Sequence, residues 1–181
     1  MGQGDGVELG EDEVGHVVGG QPGDEDGEDV KWVDAKCEQN LISWLEQALK
    51  RDGAEMWYDH ALEDLPGEPF RAKIESEIRS ADLAILLLSQ DFASSDFIRE
   101  VELPLIKARA ARHELVVLPI VVAALDYPHE RHLHWISDRQ MLLGWQDPLS
   151  AHTGNLAEFD ALRVKILRAI RSRLETGPPG R

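Results

Sequence analysis

The chain has 181 residues, 43% of them hydrophobic, which is enough for one folded domain and leaves little over. Its longest apolar runs fall far short of the roughly 20 residues that span a bilayer, so no membrane-crossing segment is expected. Net charge is −15, and such an acidic surface repels phosphate backbones and anionic headgroups, which argues against nucleic-acid and membrane partners.

The charge is unevenly placed. Residues 1–29 hold ten of the 34 acidic residues and no Lys or Arg, which leaves 24 acids against 19 bases in the remainder. The same stretch contains nine of the fifteen glycines and no aromatic residue. It buries too little apolar surface to offset the entropy of ordering, so residues 1–29 are expected to be an acidic, glycine-rich disordered segment. Only Val14–Val18 has strand character there. The folded domain is expected over 30–176, with 177–181 as a tail.

From Val30 the pattern turns helical, with Val33, Cys37, Leu41, Trp44, Leu45 and Ala48 at helical spacing and Asp52-Gly53 as the stop. Cys37 is the sole cysteine, which excludes an internal disulfide and fits a reducing compartment. The start lacks a secretory h-region, so the expected location is cytoplasmic. Ala54–Asp59 reads as a strand and His60–Pro69 as a loop turned by Pro66-Gly67. Phe70, Ile74 and Ile78 set the apolar row of a second helix. Leu83–Leu88 is a continuous aliphatic run, the mark of a parallel strand covered on both faces.

A polar stretch, Ser89–Asp96, leads into a third helix with Ile98, Val101, Leu105, Ala108 and Arg112 along one side. Pro104 lies inside it and predicts a kink. Leu115–Val122 is another buried strand, with Pro119 expected at an end or an edge. An irregular region follows, with a helical stretch near Trp135–Leu143. The last helix spans Leu156–Glu175. His129, His132 and His134 lie close together, but no cysteine is near and Glu130 is the adjacent carboxylate, so a solvated loop is expected rather than a metal site. Strands alternating with helices predict an α/β fold with a parallel sheet.

Three stretches in order carry a family resemblance. Trp57-Tyr58-Asp59 is followed by Leu65-Pro66-Gly67. Next comes the run from Ile78 to Ser89, and then Asp91-Phe92-Ala93-Ser94-Ser95-Asp96-Phe97 running into Glu100-Val101-Glu102-Leu103. Together with Leu118-Pro119-Ile120-Val121 they resemble the Toll/interleukin-1 receptor (TIR) domain family as bacterial members show it. The resemblance implies a flavodoxin-like parallel sheet of about five strands with helices on both faces. The family's first strand has no counterpart directly before the first helix, so that strand is expected to be atypical or missing: either Val14–Val18 supplies it from a distance, or the sheet lacks it.

Spacing alone places Glu102 in an aliphatic row between Ile98 and Ile106, whereas Glu100 falls in a polar row with Asp96, Pro104 and Lys107. The resemblance makes Glu102 the catalytic residue of an NAD glycohydrolase that releases nicotinamide and ADP-ribose or a cyclised form, in a setting such as bacterial defence. It implies substrate contacts from Trp57, Asp59, Phe92 and Ser95, with Trp57 or Phe92 stacking on a base. NAD is then a substrate, and no cofactor or metal is expected. The resemblance also implies self-association through the His60–Pro69 loop. The rival expectation is a non-enzymatic TIR–TIR adaptor module; a nucleoside deoxyribosyltransferase-like enzyme would share the fold type and a glutamate.

Overall fold

Leu83–Leu88 is buried at all six positions, as an unbroken aliphatic run in a parallel sheet requires. The structure, a computed structural model, describes residues 16–19, 41–58, 70–137, 139 and 141–177. In chain order these form strand β1 (His16–Gly19), helix α1 (residues 41–51), β2 (Glu55–Tyr58), α2 (Phe70–Ser80), β3 (Leu83–Leu88) and α3 (Gln90–Ser94). A π-helical turn (Ile98–Glu102) then leads into α4 (Leu103–Ala111) and β4 (Val116–Val121). Two 3₁₀ turns, Arg131–Ile136 and Leu149–His152, precede α5 (Leu156–Thr176).

The strands pair in the order β2-β1-β3-β4, all parallel. Val18 of β1 is in register with Trp57 on one side and Ala84 on the other. Successive strand residues face opposite sides, so β3 divides its side chains between two cores. Leu83, Ile85 and Leu87 pack with Leu41, Leu45 and Leu49 of α1 and with Ile166 and Ile170 of α5. Ala84, Leu86 and Leu88 pack with Ile74 and Ile78 of α2, Ile98 of the π turn and Ile106 of α4. Helices therefore cover both faces, and the doubly wound α/β arrangement is the one expected.

Local chemistry accounts for the element ends. Gly53, at φ 76°, ends α1 at the expected Asp52-Gly53 stop. Asn155 caps α5 by accepting the Ala157 and Glu158 N–H groups, and Gly177, at φ 61°, closes that helix. Arg109 of α4 donates to the carbonyls of Ile78 and Ala81 at 2.5 and 2.7 Å, which ties α4 to the end of α2.

Four expectations change. The stretch 1–29 contains a strand: His16–Gly19 is held by ladders on both edges, a pairing that acidic, glycine-rich composition does not reveal. The rest of 1–29 lies outside the described residues. The sheet has four strands among the described residues, not about five, because the region after β4 contributes 3₁₀ turns and irregular chain. The helical stretch expected near Trp135–Leu143 lies instead at Arg131–Ile136. The polar run after β3 contains α3, capped by Ser89. Pro119 is opposite Leu86 in β4, the last strand of the described sheet, where a missing donor leaves no ladder bond unmade on the outer side.

Among the described residues β1 is the link between β2 and β3, so the fold predicts a sharp dependence on it. Deleting residues 1–23 should abolish or strongly lower the cooperative thermal transition, whereas deleting 1–13 should leave the melting temperature nearly unchanged. Equal melting curves for the two truncations would contradict an interior β1.

His152 gives a pH-dependent contribution to the docking of α5. Its Nε2 lies 2.8 Å from Asp147 Oδ1 and its Nδ1 3.4 Å from Glu158 Oε2, in the first turn of α5. The hydrogen bonds to Asp147 and Glu158 raise its pKa above the usual 6.5. A raised folded-state pKa means that the stabilisation is complete below the unfolded value of 6.5 and is lost as pH rises through the folded value. Titration of the His152 imidazole by NMR should show a midpoint above 6.5, and Asp147→Asn should lower it. Stability should fall as pH rises above that of the unfolded midpoint, and less so in Asp147→Asn.

Candidate active site

The sheet order points to where a ligand site would lie. β1 leads to α1 on one face of the sheet, while β3 leads to α3 and the π turn on the other, so the chain diverges at the carboxyl ends of these neighbouring strands. Open α/β sheets bind ligands outside such a divergence. On the β3 side the wall is well defined. Ser89, buried at the strand end, accepts the Phe92 N–H at 3.1 Å and starts α3. Gln90 holds the next loop: its N–H donates to Ala124 O at 3.1 Å and its Oε1 accepts the Asp126 N–H at 3.0 Å. Ser95 ends α3 and accepts the Ile98 N–H on its Oγ at 3.4 Å, so it supports the start of the π turn.

Pro104 explains the π turn. It has no N–H to give the carbonyl of Glu100, and its ring crowds that carbonyl. The preceding turn widens, and the Leu103 N–H reaches back five residues to Ile98 O. Pro104 then sits in the first turn of α4, where a missing donor is tolerated. The expected kink is thus realised as an inserted residue, which rotates the following helix by about 100°. The buried row moves from the expected Leu105 and Ala108 to Ile106 and Ala110. Val101, Glu102 and Leu103 become three consecutive buried residues.

Glu102 is 6% exposed, whereas the Glu100 side chain is 70% exposed and lies 3.7 Å from Arg99. Burying a carboxylate is costly unless it is hydrogen-bonded or paired, and π turns in helices are frequent at functional sites. The separation of the two glutamates follows the reading of their helical rows.

The other expected site residues divide. Trp57, near the end of β2, is partly buried and packs against the same cluster as Ile98. Asp59 lies outside the described residues. Phe92 is 1% exposed among core side chains, so it has no open face for a base; the stacking role expected of it is corrected to core packing. Ser95 is occupied in capping. Phe70 departs from its row: it is 48% exposed while Ile74 and Ile78 are 1% exposed, and its ring centroid lies 5.6 Å from that of Phe97. Periodicity pointed Phe70 inward, and its position at the first turn of α2 is what leaves it open.

The three clustered histidines take separate partners. His129 pairs with Asp126 at 2.8 Å, His132 lies 3.6 Å from Glu130, and His134 packs against the Tyr127 ring. Among the described residues no group of three or more His, Cys, Asp or Glu side chains could hold a metal ion. No helix among them is long and apolar enough to cross a membrane.

Comparison with known proteins adds the following. The TIR domain family matches residues 30–151, which begin downstream of β1. An uncharacterised protein of Sinorhizobium fredii, y4lF, is 34% identical over 97 residues, a stretch covering 51% of this chain and 29% of that protein. The chain therefore matches less than a third of that relative's length. The TIR domains of the activated Roq1 resistosome, which directly recognises the pathogen effector XopQ, align with a TM-score of 0.42 and 16% identity. That alignment covers 84% of this chain and 82% of the other.

Proposed function

The chain belongs to the TIR domain family, and we propose that it is an NAD glycohydrolase in which Glu102 is the catalytic carboxylate. The family includes both NAD-cleaving enzymes and adaptors. The observation that supports the enzymatic reading is the placement of Glu102: a carboxylate 6% exposed, in the π turn that follows β3 and α3. A missing first strand would favour a degenerate adaptor; among the described residues β1 fills that interior position.

In this reading the bond between ribose C1′ and the nicotinamide nitrogen breaks, and its electron pair leaves with the nitrogen. The pyridinium becomes a neutral base, so no strong general acid is needed. Positive charge grows on the ribose ring, and a negative group fixed beside it in a water-poor site stabilises that charge. Water, or a group of the same molecule in the cyclised product, then bonds to C1′ and loses a proton. Trp57, partly buried near the end of β2, is the proposed substrate contact from that strand. Self-association through His60–Pro69 and a role in bacterial defence belong to the same proposal; that loop lies outside the described residues.

The test is nicotinamide release from NAD by concentrated full-length protein. Glu102→Gln keeps size and hydrogen-bonding capacity without the charge, and should lower turnover by about 10²–10⁴-fold with the fold intact. Glu100→Gln, at an exposed position, should retain most activity. No nicotinamide from the wild type would sink the enzymatic reading; an active Glu102→Gln with a dead Glu100→Gln would reverse the assignment.

For assembly, Gly67→Val should weaken self-association, read by light scattering. Unchanged scattering would remove the loop from the interface.

A further inference from the structure

We propose that docking of β1 into the sheet is set by ionic strength: the acidic stretches on either side of the strand oppose its insertion when their charge is unscreened and permit it when salt screens them. The device concerns assembly of the fold and does not rest on the NAD-cleaving reading. β1 is four residues long, and two parallel ladders hold it between β2 and β3. Residues 20–40 separate it from the first described residue of α1, Leu41. Short strand-to-helix loops of about 2–6 residues fix the strand they leave. A connection of this length does not, so β1 is held by its ladders against whatever opposes them.

Charge opposes them. Residues 1–29 carry ten acids and no Lys or Arg, and the remainder carries 24 acids against 19 bases. Glu11, Asp12 and Glu13 lie shortly before His16, and Asp24, Glu25 and Asp26 shortly after Gly19. At a limit of about 3.6 Å per residue, chain length keeps all six within roughly 25 Å of the docked strand. Insertion therefore brings like charge up to like charge.

The amino end of the slot has the same sign. His16 is in register with Glu55 of β2, and Val17 with Leu83, which Asp82 precedes. Trp57 and Ala84, two positions further along these strands, pack in the cluster that α2 and α4 cover. Residues two apart on a strand share a face, so Glu55 and Asp82 belong to that face as well. Glu77 of α2, the helix that packs against β1, is buried there. Lys73 pairs with Glu77 at 2.5 Å and Arg109 is attracted to Asp82, which leaves three carboxylates to two cations.

Exposed charges act over the Debye length, about 30 Å at 0.01 M salt and about 3 Å at 1 M. At the lower concentration all six flanking acids act on the domain; at the higher one they act only on immediate neighbours. With β1 withdrawn, β2 loses its described ladder and the divergence beside β3 disappears, while the β3–β4 ladder remains. Salt thus sets the fraction of chains in which the proposed site is assembled.

The test is amide hydrogen exchange on the full chain at about 0.01 M and about 1 M sodium chloride, reading residues 55–58 against residues 116–121 of β4. Protection of 55–58 relative to β4 should rise by about tenfold or more with salt. Neutralising one flank, either by Glu11→Gln, Asp12→Asn and Glu13→Gln or by Asp24→Asn, Glu25→Gln and Asp26→Asn, should raise protection at low salt and shrink the response. Glu46→Gln, Glu100→Gln and Glu175→Gln remove as many charges from exposed helix positions and should leave the response within about twofold of the parent. Three results would each overturn the proposal. They are no salt response in the parent, an equal response in the flank variants and the parent, and protection of β4 rising in step with that of β2.

Discussion

Among the described residues β2 is joined to the rest of the sheet through β1 alone. His16–Gly19 pairs with Glu55–Tyr58 on one edge and with Leu83–Ile85 on the other. Four residues form a weak strand in isolation, and what stabilises them is the presence of a ladder on each side. The divergence of the chain at the carboxyl ends of β1 and β3 exists only because β1 is inserted there. The sheet and the divergence at its carboxyl ends thus rest on one short segment within an acidic, glycine-rich stretch.

The second constraint is the missing N–H of Pro104. Its effect travels in both directions along the helix. Downstream, the inserted residue turns Ile106 and Ala110 onto the sheet, where they pack with Leu86 and Leu88. Upstream, it places Glu102 between Val101 and Leu103 in a run of buried residues and leaves Glu100 outside. One backbone donor therefore separates two glutamates that are two positions apart in sequence into a buried carboxylate and a solvated one.

These constraints meet at the segment leaving β3. Ser89, Ser95 and Gln90 each use a side-chain oxygen to accept a backbone N–H: Ser89 starts α3, Ser95 supports the π turn, and Gln90 holds the loop after β4. A site built on such a wall is held by the sheet core rather than by mobile side chains. That is the preorganisation that electrostatic stabilisation of a developing cation demands.

The amino-acid sequence by itself determined the elements whose causes are local. Leu83–Leu88 is legible as a covered parallel strand from six aliphatic residues in a row, and α5 from its apolar period. The burial of Glu102 and the exposure of Glu100 were legible too, because one falls in an aliphatic row and the other in a polar one. Tertiary structure alone decided the rest. β1 depends on partners far along the chain, so no window around Val17 could display its stability. The exposures of Phe70, at the start of α2, and of Phe92, inside a polar run, are reversed from what their neighbours suggest, because burial is set by what packs over each ring. The π turn follows from Pro104 only once the helix around it is held against β3 and β4, since a free helix could equally have kinked or ended there.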